Sequence, residues 1–137
     1  ACQHRFIVLK NEPSSIADAY ATIKVMIQDY SLDNISVIAN SVLTQNEGRH
    51  LYRSINSVIK NFLGSEVNYL HSISDDEMLL RAIKASQPIL SFAPASPAAR
   101  DFSTMADIVE ALPKHDSISG GLQFFVERMA AHQTDKV

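Results

Sequence analysis

Short unbroken apolar runs alternate along the chain with longer segments in which apolar residues recur every three or four positions. Runs of four to eight apolar residues are typical of parallel strands buried on both faces of a sheet. A spacing of three or four is typical of helices with one buried face. The predicted strands are Arg5–Leu9, Ile35–Ala39, Val67–Ile73 and Gln87–Phe92.

Polar residues mark the ends of the predicted helices. Ser14 or Ser15 can cap the first helix, and Ser15 with Asp18 resembles a capping box. Gly64 stands where the second helix should stop, and Ser96 precedes a proline in the first turn of a later helix. The predicted helices cover about 15–30, 48–62, 78–83, 97–112 and 122–132.

The alternation of strands with helices predicts right-handed crossover connections. The predicted fold class is therefore α/β, with a parallel sheet of about four strands and helices on both faces. Residues 1–113 form the predicted domain. Residues 114–121, which contain two glycines and two serines, are a predicted linker, and residues 122–137 are a predicted amphipathic helix and tail.

The last predicted helix has a strongly apolar face, while Phe124 projects near its polar side. An aromatic residue in that position suits a helix that lies in the headgroup layer of a membrane. Docking of the same face on its own domain is the alternative. The candidate membrane-binding residues are Leu122, Phe124, Phe125, Val126 and Met129.

Composition narrows the class of protein. The 137 residues are 46% hydrophobic and 20% charged, which is typical of a chain that folds rather than of a disordered one. A formal net charge of −3 without a basic run argues against direct nucleic-acid binding. Cys2 is the only cysteine, which excludes an internal disulfide and favours a reducing cytoplasm. Ala1 in the first position favours a piece of a longer protein.

In an open parallel sheet, ligands bind outside the carboxyl ends of the strands, which predicts a site at residues 11–15, 40–47 and 74–77. The four glycines, at 48, 64, 120 and 121, form neither of the glycine-rich phosphate-binding motifs. Hydrolysis of ATP by this chain alone is therefore not expected, and no catalytic residue is assigned. The five histidines lack metal-ligand spacing, so no metal site is predicted.

A series of segments resembles a known family. Residues 11–24 read Asn-Glu-Pro-Ser-Ser-Ile-Ala-Asp-Ala-Tyr-Ala-Thr-Ile-Lys, which is similar to a Glu-Pro-x-Ser-[Ile/Leu]-Thr-Asp-Ala-Tyr-x-x-Ile-Lys segment of the flagellar number regulators of the FlhG/FleN type. Residues 124–129, Phe-Phe-Val-Glu-Arg-Met, resemble that family's membrane-targeting helix. The resemblance covers nearly the whole chain and implies the carboxy-terminal half of a MinD/ParA-type P-loop ATPase domain.

The resemblance implies roles for individual residues. Asn40 matches an adenine-contacting asparagine, with a turn hydrogen bond as the alternative role. Ser74, Asp75 and Asp76 match the next nucleotide loop, although His71 and Ser74 replace the glycine and proline of the family pattern Gly-x-[Ile/Val]-Pro-x-Asp. The alternative for the two aspartates is stabilisation of the following helix start.

The candidate residues for a dimer or partner face are Ser14, Ser15 and Asp18, and their alternative role is capping of the first helix. By resemblance, the complete protein binds ATP or ADP with Mg²⁺. For this fragment alone, binding of nucleotide and binding of no ligand are both left open. A homodimer is expected. The partners implied are a signal-recognition-like flagellar GTPase, a flagellar transcription activator and switch-ring proteins. The implied location is the cytoplasm, with peripheral contact to the inner membrane at the cell pole.

The resemblance thus implies part of a MinD-like ATP-binding regulator of flagellar number and placement. Two alternatives stay open. The first is a degenerate, non-hydrolysing interaction module that kept the fold. The second is a ParA/MinD-type ATPase that partitions DNA or positions the division septum.

Overall fold

The computed structural model describes residues 3–113. One sheet of three parallel strands runs through them in the order β1 (Arg5–Lys10), β2 (Ile35–Val42) and β3 (Asn68–Ser74). The helices, in chain order, are α1 (Pro13–Gln28), α2 (Gln45–Leu63), α3 (Glu77–Lys84), α4 (Ile89–Phe92) and α5 (Pro97–Ala111). The predicted linker 114–121 and the predicted helix and tail 122–137 lie outside the described residues.

Two hydrophobic cores lie on opposite faces of the sheet. The first joins β1 and β2 to helices α1 and α2 through buried residues such as Val37, Ile23 and Ile59. The second joins Ile38 and Leu70 to helices α3, α4 and α5. Full burial of an aliphatic side chain of this size stabilises the fold by about 1.5–3 kcal/mol. The predicted α/β class, with a parallel sheet and helices on both faces, is confirmed.

The predicted fourth strand at Gln87–Phe92 is wrong. Its residues form the short helix α4, for which Pro88 is the N-cap. Proline has no N–H to give to a ladder of strand hydrogen bonds, so an inner strand is disfavoured at this position. Ile89 and Phe92 stand one helical turn apart, and both pack into the second core. A short apolar run of this kind fits a buried helix as well as a strand.

The predicted serine cap of the first helix is also wrong. Helix α1 begins at Pro13, its N-cap is Glu12, and no side chain caps it. Proline suits the first helical position because its fixed φ is already helical and its missing N–H is not needed there. The Ser15 hydroxyl instead accepts the backbone N–H of Lys10 at 2.9 Å, which ties α1 back to the end of β1.

Two other predicted helix ends are confirmed. Gly64 ends α2 with a left-handed φ of 65°. Glycine adopts this conformation with little strain because it has no Cβ. Ser96 caps α5 by accepting the backbone N–H of Ala99 at 3.3 Å. The start of α2 differs from the prediction, because it lies at Gln45 rather than Gly48 and Thr44 is the cap.

Strand β2 extends to Val42, beyond its predicted end at Ala39, and contains a β-bulge between these two residues. Asn40 and Ser41 stand opposite the single residue Ile73 of β3, so the register shifts by one. Ser41 has a left-handed φ of 55°, which is uncommon for serine and accompanies the bend in the strand. The bulge therefore places Asn40 inside the sheet rather than in the loop that the sequence predicted.

The first turn of α2 lies against β3 at Gly48. A Cβ atom at this position would overlap the Ser72 hydroxyl and lie 2.7 Å from the Ser72 Cβ. Ser72 is fully buried, and its hydroxyl is 2.6 Å from the hydroxyl of Tyr69. This close approach holds the start of α2 beside the carboxyl end of β3, where a ligand is expected.

Candidate functional site

The carboxyl ends of the three strands meet at one edge of the sheet, and Glu47 joins the first two of their loops. One Glu47 oxygen accepts the Asn11 side-chain amide at 3.2 Å, and the other accepts the backbone N–H of Leu43 at 2.8 Å. The Leu43 bond, followed by the Asn11 bond, lowers the pKa of Glu47 from its ordinary value. The charged carboxylate therefore clamps the β1–α1 loop to the β2–α2 loop.

Asn40 lies on the central strand of this edge, between Lys10 of β1, its Cα partner, and the end of β3. Its side chain is half-buried and makes no hydrogen bond to any other residue within 3–113. An asparagine amide offers two donors and an acceptor in one plane. Asn40 therefore presents an unused donor–acceptor pair at the centre of the edge, which fits the polar edge of a planar ligand.

The β3–α3 loop is held by hydrogen bonds within the chain. The Asp75 backbone N–H donates to the Val42 carbonyl at 2.8 Å, so pairing with β2 continues past the end of β3. One Asp76 oxygen accepts the N–H of Met78 at 2.9 Å and caps α3. The other accepts the N–H of Ala98 at 2.9 Å, in the first turn of α5.

The Asp76 carboxylate thus joins the starts of two helices. The Ala98 N–H, as the larger effect, and the Met78 N–H lower the pKa of Asp76 from its ordinary value. The helix-start alternative of the sequence analysis describes this residue well. Asp75, by contrast, has an exposed side chain. Of the two aspartates, Asp75 has the carboxylate that is available to a ligand.

Asp101 of α5 is a member of this edge that sequence reasoning missed. One of its oxygens accepts the backbone N–H of Ser74 at 2.8 Å. Its other oxygen is 3.4 Å from Gln45 Nε2 and 3.7 Å from His71 Nε2. The signal lay in the helical pattern, because position 101 falls on the same face as the apolar residues Ala98 and Met105. A carboxylate on such a face requires polar partners in the folded protein.

The candidate dimer or partner residues lie at the start of α1. Ser14 and Asp18 are exposed, and Ser15 is half-buried with its hydroxyl bonded to the Lys10 N–H. They lie on the β1 side of the edge, whereas Ser74, Asp75 and Asp76 lie on the β3 side. The structure thus brings Asn40 to the middle, with the two groups on either side of it.

An open apolar groove of about 660 Å³ lies between α3, α4 and α5, away from the strand ends. Ile89, Phe102 and Met105 are among the residues that line it. Ile83 and Leu90 on its rim are 65% and 50% exposed, respectively. A surface of this kind suits an apolar helix face more than a nucleotide.

Residues 3–113 contain neither a membrane-spanning helix nor a cluster of metal ligands. No helix there is long and apolar enough to cross a membrane. No group of three or more His, Cys, Asp or Glu side chains there is arranged to hold a metal ion.

Two flagellar proteins are similar to this chain in sequence. The antiactivator FleN of Pseudomonas aeruginosa is 33% identical over 132 residues, which cover 96% of this chain and 47% of FleN. The flagellum site-determining protein YlxH of Helicobacter pylori is 37% identical over 89 residues, which cover 64% of this chain and 30% of YlxH. The chain is a homologue of the FlhG/FleN-type flagellar number regulators.

The chain also has a structural neighbour among solved proteins. The MinD cell division protein of Aquifex aeolicus superposes with a TM-score of 0.59 and 20% sequence identity, over 82% of this chain and 46% of MinD. This similarity supports the MinD-like α/β fold. No family model matches the sequence. The chain spans less than half of the length of each of these relatives.

Proposed function

We propose that this chain is part of a MinD-like regulator of flagellar number and placement, and that its carboxyl edge holds the adenine of ATP or ADP. The two flagellar relatives and the MinD-like fold support the regulator. The observation that carries the adenine site is the side-chain amide of Asn40 at the centre of the edge, which makes no hydrogen bond within residues 3–113. Ligands of open parallel sheets bind at this edge.

Asn40 has the chemistry that adenine requires. Its amide N–H₂ donates to N7 of the base, and its carbonyl oxygen accepts from the N6 amino group. Ser74 and Asp75 form the neighbouring wall on the β3 side, and Asp76 holds that wall in place through its two backbone bonds. These residues fit a base and leave the phosphates to another part of the site.

The phosphates and Mg²⁺ need groups that this sequence lacks. A phosphate cradle is built from glycine-rich backbone amides and a lysine, and neither motif occurs in the chain. When bound, Mg²⁺ neutralises charge on the transferred phosphoryl group. The proposed contribution of this chain is therefore to bind and orient the base, and no hydrolysis is assigned to it alone.

A titration of the chain with ATP tests the adenine site. The Asn40 side-chain and Asp75 backbone amide resonances are expected to shift, and Asn40→Ala is expected to weaken binding by about 1–3 kcal/mol, or roughly 5- to 150-fold, because a bidentate contact is lost. Asn61→Ala is the matched control, since Asn61 is exposed near the far end of α2. Unchanged resonances at saturating ATP would remove the adenine assignment.

The same titration separates a second candidate, a degenerate interaction module that does not hold nucleotide. That candidate is supported by the loop itself, because His71 and Ser74 depart from the family pattern and Asp76 is fully engaged within the chain. Loss of nucleotide binding together with an intact fold is its expected signature. A partitioning or septum-positioning ATPase is the third candidate, and a deletion strain with normal flagellar number would favour it.

The wider assembly is proposed from the resemblance. Ser14, Ser15 and Asp18 would contribute to the face of a homodimer, whose two copies would together hold the apolar helices on a membrane. A signal-recognition-like flagellar GTPase, a flagellar transcription activator and switch-ring proteins are the proposed partners. The proposed location is the cytoplasmic side of the inner membrane at the cell pole.

Vesicle sedimentation tests the proposed membrane segment. With vesicles of phosphatidylethanolamine and phosphatidylglycerol, Phe125→Glu is expected to lower the bound fraction about ten-fold, because burial of a phenylalanine contributes roughly 1.5–3 kcal/mol. Phe62→Glu is the matched control, since Phe62 is 74% exposed on α2. Equal binding by both variants would contradict the assignment. If Phe125→Glu leaves the vesicle-bound fraction unchanged and Ile83→Asp on the groove rim alters it, the apolar face of residues 122–132 docks on its own domain.

A further inference from the structure

Asp101 contacts two elements, β3 and α2, at the strand edge where Asn40 lies. Its side chain is 14% exposed, and it reaches from α5 to the backbone N–H of Ser74, the last residue of β3. Gln45, the first residue of α2, reaches the other oxygen of the same carboxylate at 3.4 Å. One half-buried carboxylate therefore connects α5, the end of β3 and the start of α2.

The remaining contacts of Gln45 and His71 strengthen this connection. Gln45 Nε2 also lies 3.4 Å from the Ser72 carbonyl, so the start of α2 is bonded to both α5 and β3. His71 Nε2 lies 3.7 Å from Asp101, and the His71 side chain is 18% exposed. Polar contacts among poorly solvated groups hold a loop more firmly than the same contacts in water.

We propose that Asp101 is a positioning residue, which fixes the β3–α3 loop and the start of α2 relative to each other at the strand edge that contains Asn40. The proposal rests on the adenine site proposed above. Asp101 contacts no ligand itself. Its part is to keep Ser74 and Asp75 where they form one wall of the base site, so that binding need not first order the loop.

The restraint that Asp101 places on Ser74 is one that a proline could also supply. Asp101 accepts the Ser74 N–H at 2.8 Å, and His71 Nε2 lies 3.7 Å from the same carboxylate. A proline at 74 would fix φ by its ring but would have no N–H to donate. Ser74 has no ring to fix its φ, but it has an N–H, which donates to Asp101. The carboxylate thus supplies by a hydrogen bond the restraint that a ring would supply covalently.

The experiment is a cycle of four proteins: the wild-type chain, Asp101→Ala, Ser74→Pro and the double variant. The first readout is the ¹H–¹⁵N heteronuclear NOE of the Asp75, Asp76 and Met78 amides, which reports the order of the loop without any nucleotide. The second readout is the affinity for ATP, followed at Asn40. Asp107→Ala is the matched control, because Asp107 is exposed on the same helix.

Asp101→Ala is expected to lower the NOE of the loop amides and to weaken ATP binding about ten-fold, since the loop must then be ordered on binding. Ser74→Pro is expected to disturb the wild type, because Asp101 loses its N–H partner, but to restore order and affinity in the Asp101→Ala background. This reversal of sign is the outcome that a merely structural role of Asp101 would not give. If Asp101→Ala does not fold, Asp101→Asn is scored by the same two readouts, with a smaller loss expected.

Two outcomes would overturn the proposal: loop NOEs in Asp101→Ala equal to those of the wild type, or a double variant no better than Asp101→Ala. Failure of the adenine site has a different signature. If the wild-type chain shows no ATP-dependent shift at Asn40 while Asp101→Ala still loosens the loop, the base assignment is lost and the positioning of the loop by Asp101 stands.

Discussion

Replacement of Gly48 by alanine is expected to lower the free energy of unfolding by about 3 kcal/mol, at the upper end of the range for overpacked sites. A glycine-to-alanine change inside a helix normally stabilises it by up to about 1 kcal/mol. At Gly48 the steric effect dominates, because the new Cβ would overlap the buried Ser72 hydroxyl and lie 2.7 Å from the Ser72 Cβ. Helix α2 and β3 would have to move apart. Urea denaturation measures the loss.

A second-site change provides the control for this prediction. Ser72→Gly removes both atoms that the new Cβ would strike, so the double variant should be more stable than Gly48→Ala alone. Ser72→Gly by itself should cost less than Gly48→Ala, since it removes one hydrogen bond to Tyr69 and opens a small space. A Gly48→Ala variant as stable as the wild type would show that α2 and β3 can separate without loss.

Asp76→Ala is expected to lower the free energy of unfolding by about 2–4 kcal/mol, because it removes the cap of α3 and a hydrogen bond between a charged group and the Ala98 N–H. Ala98 is fully buried, so water cannot readily replace the lost bond. Asp75→Ala is the matched control, since its side chain is exposed. A small effect at Asp76, similar to that at Asp75, would contradict the two-helix role.

The same carboxylate predicts a pH dependence of stability. The pKa of Asp76 is lower in the folded protein than its ordinary value, which is about 4 in the unfolded chain. Its stabilising contribution is therefore fully present above about pH 4 and is lost as the pH falls through the folded pKa. Asp76→Asn is expected to flatten the acid side of a stability–pH profile measured by thermal denaturation. Glu47 titrates in the same direction, so part of the slope should remain.

Periodic patterns predicted the parallel architecture, because each of the three strands contains a short apolar run and the helices carry apolar residues at helical spacing. Gly64 and Ser96 were predictable for local reasons, since a left-handed C-cap and an N-cap each select few residue types. The run at Gln87–Phe92 was not resolved by its pattern. Its length suits a strand, and only packing of Ile89 and Phe92 into the second core decides for a helix.

The candidate site was predicted less completely. Asn40 was predicted from the resemblance, and the structure places it at the carboxyl edge of the sheet, where ligands of parallel sheets are expected. The bulge at Asn40 and Ser41 leaves no clear mark in a single sequence, because it depends on how β2 pairs with β3. Asp101 was missed because its partners Gln45 and Ser74 lie 56 and 27 positions away in the chain. Contacts across such distances arise only when the helices pack on the sheet.

The two cores on opposite faces of the sheet belong to two groups of helices, and these groups differ in how extensively they contact the sheet. Helix α2 packs on both β2 and β3, whereas α3 packs on α4, α4 packs on α5, and α5 packs on the outer strand β3. We therefore expect helices α3 to α5 to open as a unit while β1, β2, α1 and α2 stay folded, as contiguous segments often do below the global unfolding limit. Native-state hydrogen exchange should then show one shared, lower protection level across α3, α4 and α5. Ligand that contacts the loop between β3 and α3 would raise that level for the whole layer.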